Sequence, residues 1–271
     1  MNDPTEPRGF QKIFNKRVRS AHLARRSLPF KPVAGNNKYN RLSEAFSKQP
    51  VCSERVIYIN IPFCNKICSF CIYGKELLDK DSKWEEYFSM LHKQITSLAD
   101  TKWARYLPFS AVYFGGGTPT VVPCNSIIKI LELIKENCSL AGDCEITVES
   151  TISDIDGEYI SKLKDAGVNR ISLGVQSFCT SLRKKIGRNA DKEEVMRTIE
   201  MVKNSGINDI CIDLIYNLDG QDNETWLEDL ELAKDNPCSV RSPQRRQVCI
   251  CKLTWPGCRY NGFWCRSGWT D

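Results

Sequence analysis

The sequence predicts an α/β fold, a partial (β/α) barrel, and three observations carry that prediction. Between residues 55 and 236 short β-branched runs alternate with amphipathic stretches, as repeated βα units around a parallel sheet require. Each predicted strand ends in something polar or glycine-rich, and barrels of this kind gather their ligand-binding groups at the C-terminal ends of the strands. A length of 271 residues suits one main domain, since α/β barrels of about 250 residues commonly form a single unit.

Five βα units are expected. The first strand, residues 55–61, leads into Cys64, Cys68 and Cys71, spaced C-x3-C-x2-C. A [4Fe-4S] cube normally takes four thiolates, one per iron. Three leave one iron open, and an open position separates a catalytic metal site from a closed structural one. The spacing therefore points to an iron–sulfur cluster that binds a small molecule. A helix over 82–99 follows. The second strand, 110–114, runs into Gly115-Gly116-Gly117-Thr118-Pro119-Thr120, where missing Cβ atoms let backbone approach a ligand closely; its helix is 125–137. The third strand, 145–149, ends on Glu149 and precedes a helix over 156–166. The fourth, 170–175, is followed by Gln176 and a helix over 192–204. The fifth, 209–216, carries Asp213 near its end and precedes a helix over 223–234. Gly167 and Gly206 fall just past two of the helices, where a left-handed cap favours glycine.

Charge divides the chain into a basic N-terminal extension (1–54), a core (55–236) and an anomalous tail (237–271). Residues 1–50 carry 11 Lys/Arg against 3 Asp/Glu, residues 51–236 carry 21 against 29, and residues 237–271 carry 6 against 1. An acidic body thus lies between two basic flanks. The basic leader from Lys16 to Arg26 reads as a solvated segment rather than a nucleic-acid site. The first ten residues lack the apolar stretch of a secretory signal, and no apolar run reaches the roughly 20 residues that span a bilayer. The expectation is a cytoplasmic protein, with no membrane partner, whose 14 cysteines are reduced thiols or metal ligands. With His22 and His92 the only imidazoles, thiolate is the available metal ligand.

The tail holds 5 of the 14 cysteines and 3 of the 6 tryptophans, without helical or strand periodicity. Three accounts compete: a second metal site from Cys249, Cys251, Cys258 and Cys265, a disordered basic tail, or residues read in a shifted frame. The last is favoured. It implies a barrel truncated after its fifth unit, with the edge of the fifth strand left unpaired.

Six segments then carry a family resemblance, in order, over about residues 55–235. They are Tyr58-Ile-Asn-Ile-Pro-Phe-Cys64, the three-cysteine loop, Phe114-Gly-Gly-Gly-Thr-Pro-Thr120, Glu145-Ile-Thr-Val-Glu149, Ala166-Gly-Val-Asn-Arg-Ile-Ser-Leu-Gly-Val-Gln-Ser-Phe178 and Ile212-Asp-Leu-Ile-Tyr216. Together they resemble the radical S-adenosylmethionine (SAM) enzymes related to oxygen-independent coproporphyrinogen III oxidase, including anaerobic haem-utilisation relatives. The resemblance implies that Cys64, Cys68 and Cys71 hold a [4Fe-4S] cluster whose fourth iron is chelated by SAM. One electron, from a donor such as flavodoxin or ferredoxin, then releases a 5′-deoxyadenosyl radical. It also implies that Tyr58, Phe70, Gly116, Gly117, Thr118, Glu149, Gln176, Arg188 and Asp213 line SAM sites. Taken alone, Arg188 sits in a basic stretch with Arg183, Lys184 and Lys185 and reads as a solvated cation, while Phe70 could shield a cluster from water.

Two positions depart from the pattern. Asn60 stands where relatives commonly have histidine, and Ile72 follows Cys71 where the oxidase motif has glycine and then a further cysteine. Coproporphyrinogen decarboxylation is therefore one expectation among several. An oxidoreductase acting on a tetrapyrrole comes first. An anaerobic haem-degrading enzyme or a peptide or natural-product radical SAM methyltransferase comes next, and then a haem-binding chaperone using His22 or His92 or an inactive truncated product. No catalytic residue beyond the cofactor ligands is identified.

Overall fold

Alternation of side chains decides which face of each strand meets the helices. The computed structural model describes residues 46–49, 55–71, 74–80, 82–207 and 209–234. In β1 (Val56–Ile61) the isoleucines Ile57, Ile59 and Ile61 are buried while Val56, Tyr58 and Asn60 are exposed. That period of two belongs to a strand with one covered face. Two short strands, β2 (Phe63–Cys64) and β3 (Glu76–Leu77), pair in parallel and bracket the cysteine loop. The main sheet then takes β4 (Phe109–Gly116), β5 (Leu140–Thr151), β6 (Arg170–Gln176) and β7 (Asp209–Leu214) in the order β1-β4-β5-β6-β7, parallel throughout.

Register aligns the chemistry. Ile59, Phe114, Val148, Ile171 and Ile210 are neighbours across all five strands and form an apolar row. One step away, Tyr58, Tyr113, Thr147, Arg170 and Asp209 form a second row on the opposite face. Parallel sheets covered by helices on both sides read apolar on both faces. Here only one face does. The polar face is the inner, concave side of the partial barrel, opposite the helix-covered apolar face.

Helices cover the apolar face. They are α1 (Trp84–Ala99), α2 (Lys102–Tyr106), α3 (Cys124–Asn137), α4 (Gly157–Asp165), α5 (Thr180–Lys185), α6 (Lys192–Asn204) and α7 (Asn223–Lys234). Leu91 and Ile95 of α1, Ile127, Leu131 and Ile134 of α3, Ile160 and Leu163 of α4, and Val195 and Ile199 of α6 share one core with the strand isoleucines. Each such side chain contributes about 1.5–3 kcal/mol on burial. Asp156 and Asp191 cap α4 and α6 by accepting from the backbone N–H of Tyr159 and Glu194, both at 2.8 Å. Gly167 and Gly206 take positive φ of 90° and 81°, as expected past those two helices.

Several boundaries are corrected. The third strand does not stop at Glu149 but runs from Leu140 to Thr151, with a register shift where Phe109 and Ala111 face Leu140 and Glu145. The fifth ends at Leu214 rather than at residue 216, and the first helix begins at Trp84 rather than at residue 82. The two short strands, α2, α5 and 3-10 turns at Pro119–Val121 and Ile152–Asp154 were not expected; each is too short to show a periodicity. The basic leader with His22, the second metal site expected of Cys249, Cys251, Cys258 and Cys265, and the shifted-frame reading of the tail all lie outside the described residues. Among the described residues no helix is long and apolar enough to cross a membrane.

Candidate active site

The cysteine loop is stitched to the glycine-rich turn. Backbone N–H groups of Gly117 and Thr118 donate to the carbonyls of Ile61 and Phe63, both at 2.8 Å. A Cβ on Gly117 would lie 2.4 Å from the Phe63 carbonyl oxygen, so only glycine fits that contact. Thr118 carries its hydroxyl to within 3.7 Å of the Cys64 sulfur. Glycine at 117 thus fixes the strand end that carries Cys64, and the close partner of this turn is the protein's own backbone. Gly115 and Gly116 instead make room for side chains: Cβ atoms there would meet the Glu149 carboxylate at 2.9 Å and the Asn60 amide at 2.4 Å.

The rest of the loop is clamped from the far side of the sheet. Phe70 packs against Leu182, Ile186, Ile215 and Leu218, a small core separate from the main one. The Arg188 guanidinium lies over the Phe70 ring at 5.9 Å, and Lys66 approaches Gly187 with its Cε 3.7 Å from where a Cβ would be. The loop after β1 therefore reaches the segment after β6 and holds the cysteines there. Within it the Cys71 N–H donates to the Cys68 carbonyl at 3.2 Å, and Lys75 Nζ donates to the Cys71 carbonyl at 2.9 Å.

The three thiols are free of disulfides, with Cys64 and Cys68 buried and Cys71 partly so. Burial pushes the Cys64 thiol up, the Thr118 hydroxyl pulls it down, and Cys71 and Cys68 push it up again through their charge. Cys64, Cys68 and Cys71 sit within electrostatic reach of one another, and a bound metal charge would favour their thiolate forms. Among the described residues no three ligands converge as they would on a single ion. A cube asks for something else, because each thiolate binds a different iron. Three thiols on one loop, one for each of three irons, fit an iron–sulfur cluster.

Above the apolar row the inner face is acidic and hydroxylic. Glu149 accepts from the Tyr113 hydroxyl at 2.6 Å and from the Gly116 N–H at 3.3 Å. Tyr58 stacks on Tyr113, 5.7 Å between centroids. Burial, followed by the carboxylate of Glu149 and then that of Asp213, drives the Tyr113 phenol far above its usual range, so it stays a donor. Asp213 accepts from the Ser172 hydroxyl at 3.2 Å. Lower in the face, Arg170 pairs with Glu145 at 2.9 Å.

Gln176 takes a positive φ of 72° at the end of β6, where the register with β7 shifts, and its carbonyl accepts from the Ile215 N–H at 2.8 Å. Its amide nitrogen lies 2.9 Å from where a Cβ on Gly174 would be, so the glycine leaves room for the side chain. A non-glycine residue in the left-handed region is backbone strain, and such strain collects at functional sites.

The basic run before the site resolves into different roles. Arg183, a member of the basic stretch around Arg188, is 1% exposed; it donates to the carbonyls of Ala190 at 2.7 Å, Ser177 at 3.2 Å and Val175. Burial and the neighbouring Arg188 pull its pKa down to about 10. Arg188 is half-buried, and its Nε is shielded from solvent without a hydrogen-bond partner. A buried donor left unpaired costs about 1–3 kcal/mol, so this atom is ready for an anionic acceptor.

Every residue expected at the site thus lies at the strand C-termini or in the loops that follow them, except Tyr58, which faces inward in mid-strand. Tyr113 and Ser172 were missed. Both follow from period two, since Tyr113 precedes Gly115 by two residues and Ser172 precedes Gly174 by two. His92, a proposed haem ligand, is exposed on α1.

Comparison with known proteins follows this geometry. The description "Radical SAM superfamily" matches residues 58–233. Anaerobilin synthase of Escherichia coli O157:H7 is 36% identical over 215 residues, covering 78% of this chain and 48% of that protein. Heme chaperone HemW of Lactococcus lactis subsp. lactis is 38% identical over 174 residues, covering 64% and 44%. Coproporphyrinogen III oxidase (HemN) from Escherichia coli, described as a radical SAM enzyme, superposes with a TM-score of 0.64 at 28% identity, covering 73% of this chain and 45% of that one. The chain spans about half the length of the curated relatives it matches.

Proposed function

The chain belongs to the radical SAM superfamily, whose cofactors are a [4Fe-4S] cluster and S-adenosylmethionine, and we propose that it is a radical SAM enzyme acting on a tetrapyrrole. The observation that carries this reading is the clamped three-cysteine loop beside the polar face of a parallel sheet. Cys64, Cys68 and Cys71 would hold three irons of the cluster and leave the fourth to SAM. When bound, cluster and SAM supply a 5′-deoxyadenosyl radical that abstracts hydrogen.

The chain's own groups supply binding, orientation and exclusion of water. Arg188 offers its unpaired Nε to the SAM carboxylate. Glu149 and Asp213 accept hydrogen bonds from hydroxyl or ammonium groups, and Gln176 both donates and accepts. Tyr113 fixes the Glu149 carboxylate through its 2.6 Å hydrogen bond. Gly116, Gly117 and Thr118 shape the turn that receives the methionine end, with Tyr58 and Phe70 as aromatic walls. Relatives named for haem and for coproporphyrinogen III support a tetrapyrrole substrate. Asn60 and Ile72 depart from the oxidase motif, so coproporphyrinogen decarboxylation is one tetrapyrrole reaction among several that this reading includes.

Anaerobic reconstitution with iron, sulfide and SAM tests the class. The expected result is 5′-deoxyadenosine from the native chain and none from Cys64→Ala; equal yields from both would remove the reading. The relative named as a heme chaperone, 38% identical, keeps haem binding as the second reading. A saturable Soret shift without 5′-deoxyadenosine formation would favour it.

A further inference from the structure

Gln176 holds its left-handed backbone, φ 72°, where β6 ends and its register with β7 shifts. A non-glycine residue stays in that region only where its surroundings over-determine it. Here the surroundings are charged. The carbonyls of Val175 and Ser177, on either side of Gln176, both accept from the Nη1 of Arg183 on α5, and the Gln176 carbonyl between them accepts from the Ile215 N–H. Three consecutive carbonyls at the strand end are thus each held, two of them by one side chain.

The next groups along the chain are held from a different element. Asp229 on α7 accepts from the Phe178 N–H at 2.6 Å, hydrogen-bonds the Ser177 hydroxyl, and takes the Gln221 amide at 3.2 Å on its other oxygen. Gln221 in turn accepts from the Leu218 N–H at 3.2 Å, so the segment between β7 and α7 joins the same network. Arg183 and Asp229 are opposite charges within electrostatic reach of each other, and each is 1% exposed. Burying charge is costly, and apolar residues of similar volume commonly serve a core as well or better. What this pair gives the fold is a fixed peptide on both sides of Gln176.

We infer that Arg183 and Asp229 are positioning residues for SAM: together they impose the left-handed backbone at Gln176 and so keep its amide on the inner face, beside Gly174. This rests on the radical SAM reading, which makes Gln176 a SAM ligand. Ser172, Gly174 and Gln176 follow one another at period two, and the Gln176 amide nitrogen lies 2.9 Å from where a Cβ on Gly174 would be. Relaxing Gln176 to an extended backbone would re-aim both neighbouring peptides, so the amide and the Arg183 contacts move together. Both charged side chains are shielded from solvent and act through the chain they hold. The clamp on the cysteine loop uses other side chains, with Leu182, Ile186 and Arg188 around Phe70, so the cluster survives loss of the brace.

The experiment compares the native chain, reconstituted anaerobically with iron and sulfide, with Arg183→Met, Arg183→Lys and Asp229→Asn. Iron content and cluster absorbance are read first, then equilibrium binding of SAM. The expected result is a full cluster throughout, with SAM affinity weakened about ten-fold in Arg183→Met and about three-fold in the two conservative variants, which keep one of the hydrogen bonds. Those two variants carry the test if Arg183→Met does not fold. A double-mutant cycle then isolates the backbone: the rise in melting temperature on Gln176→Gly in the native chain is expected to shrink in the Arg183→Lys and Asp229→Asn backgrounds, where less strain is imposed. Native SAM affinity in the variants, or an equal rise in every background, would overturn the brace. Loss of the cluster in the variants would overturn it too, by assigning Arg183 to the clamp on the cysteine loop. A native chain that holds a cluster but binds no SAM would instead overturn the reading beneath, a result visible before any variant is made.

Discussion

Tyr113 shows how one residue organises the inner face. Its ring stacks on Tyr58, its hydroxyl donates to Glu149, and the charges of Glu149 and Asp213 keep that hydroxyl protonated. Removing only the oxygen leaves the stack and takes away the shorter of the two hydrogen bonds that Glu149 accepts from Tyr113 and Gly116. Tyr113→Phe is expected to weaken SAM affinity by about ten-fold, the equivalent of one hydrogen bond to a charged group, while the cluster absorbance stays intact. Equilibrium binding of SAM to the reconstituted variant checks this, and an unchanged affinity would mean that Glu149 does not depend on Tyr113. Residues of this kind were only partly legible in the sequence. Alternation along the strand places Tyr113 on the inner face, but its pairing with Glu149 depends on strand order. Arg183 was illegible for a similar reason, since its partners are main-chain carbonyls that only the fold brings around it.

At the scale of elements, the end of β6 is where local preference and function pull apart. Gln176 holds a left-handed backbone that costs a non-glycine residue about 1–2 kcal/mol. Gln176→Gly removes that strain and the amide together. The expected outcome is a higher melting temperature, corresponding to roughly 1 kcal/mol, with weaker SAM binding. If the variant is less stable, the backbone at this position is not strained. The long elements were readable because period and caps agree: the helices over 192–204 and 223–234 are found with those bounds. The start of β5 was not, because Gly142 and Asp143 interrupt the alternation where the strand bulges against β4.

For the whole molecule, the buried thiols outside the cysteine loop set a pH limit. Burial raises Cys124 and Cys144 to about 11. The unfolded chain releases these protons near the ordinary thiol value of about 9, whereas the native chain holds them until about 11. Stability that is fully present below pH 9 is therefore expected to decline as pH rises through this window. Denaturant midpoints measured from pH 8 to 10.5 check it, and a Cys124→Ser/Cys144→Ser variant should show a flatter decline. The same molecule-wide view explains what the sequence could and could not say about the site. The cysteine spacing and the strand-end residues were visible as a linear series. The clamp between the loop after β1 and the segment after β6 needs the strand order β1-β4-β5-β6-β7 and the packing of Phe70 on α5, which no linear spacing shows.

The most direct measurement is electron paramagnetic resonance of anaerobically reconstituted protein reduced with dithionite, with and without SAM. The account predicts a reduced iron–sulfur signal whose line shape changes when SAM is added and which disappears when any one of Cys64, Cys68 or Cys71 is replaced by alanine. A native chain that takes up iron and sulfide yet gives no signal, or a signal indifferent to SAM, would contradict it.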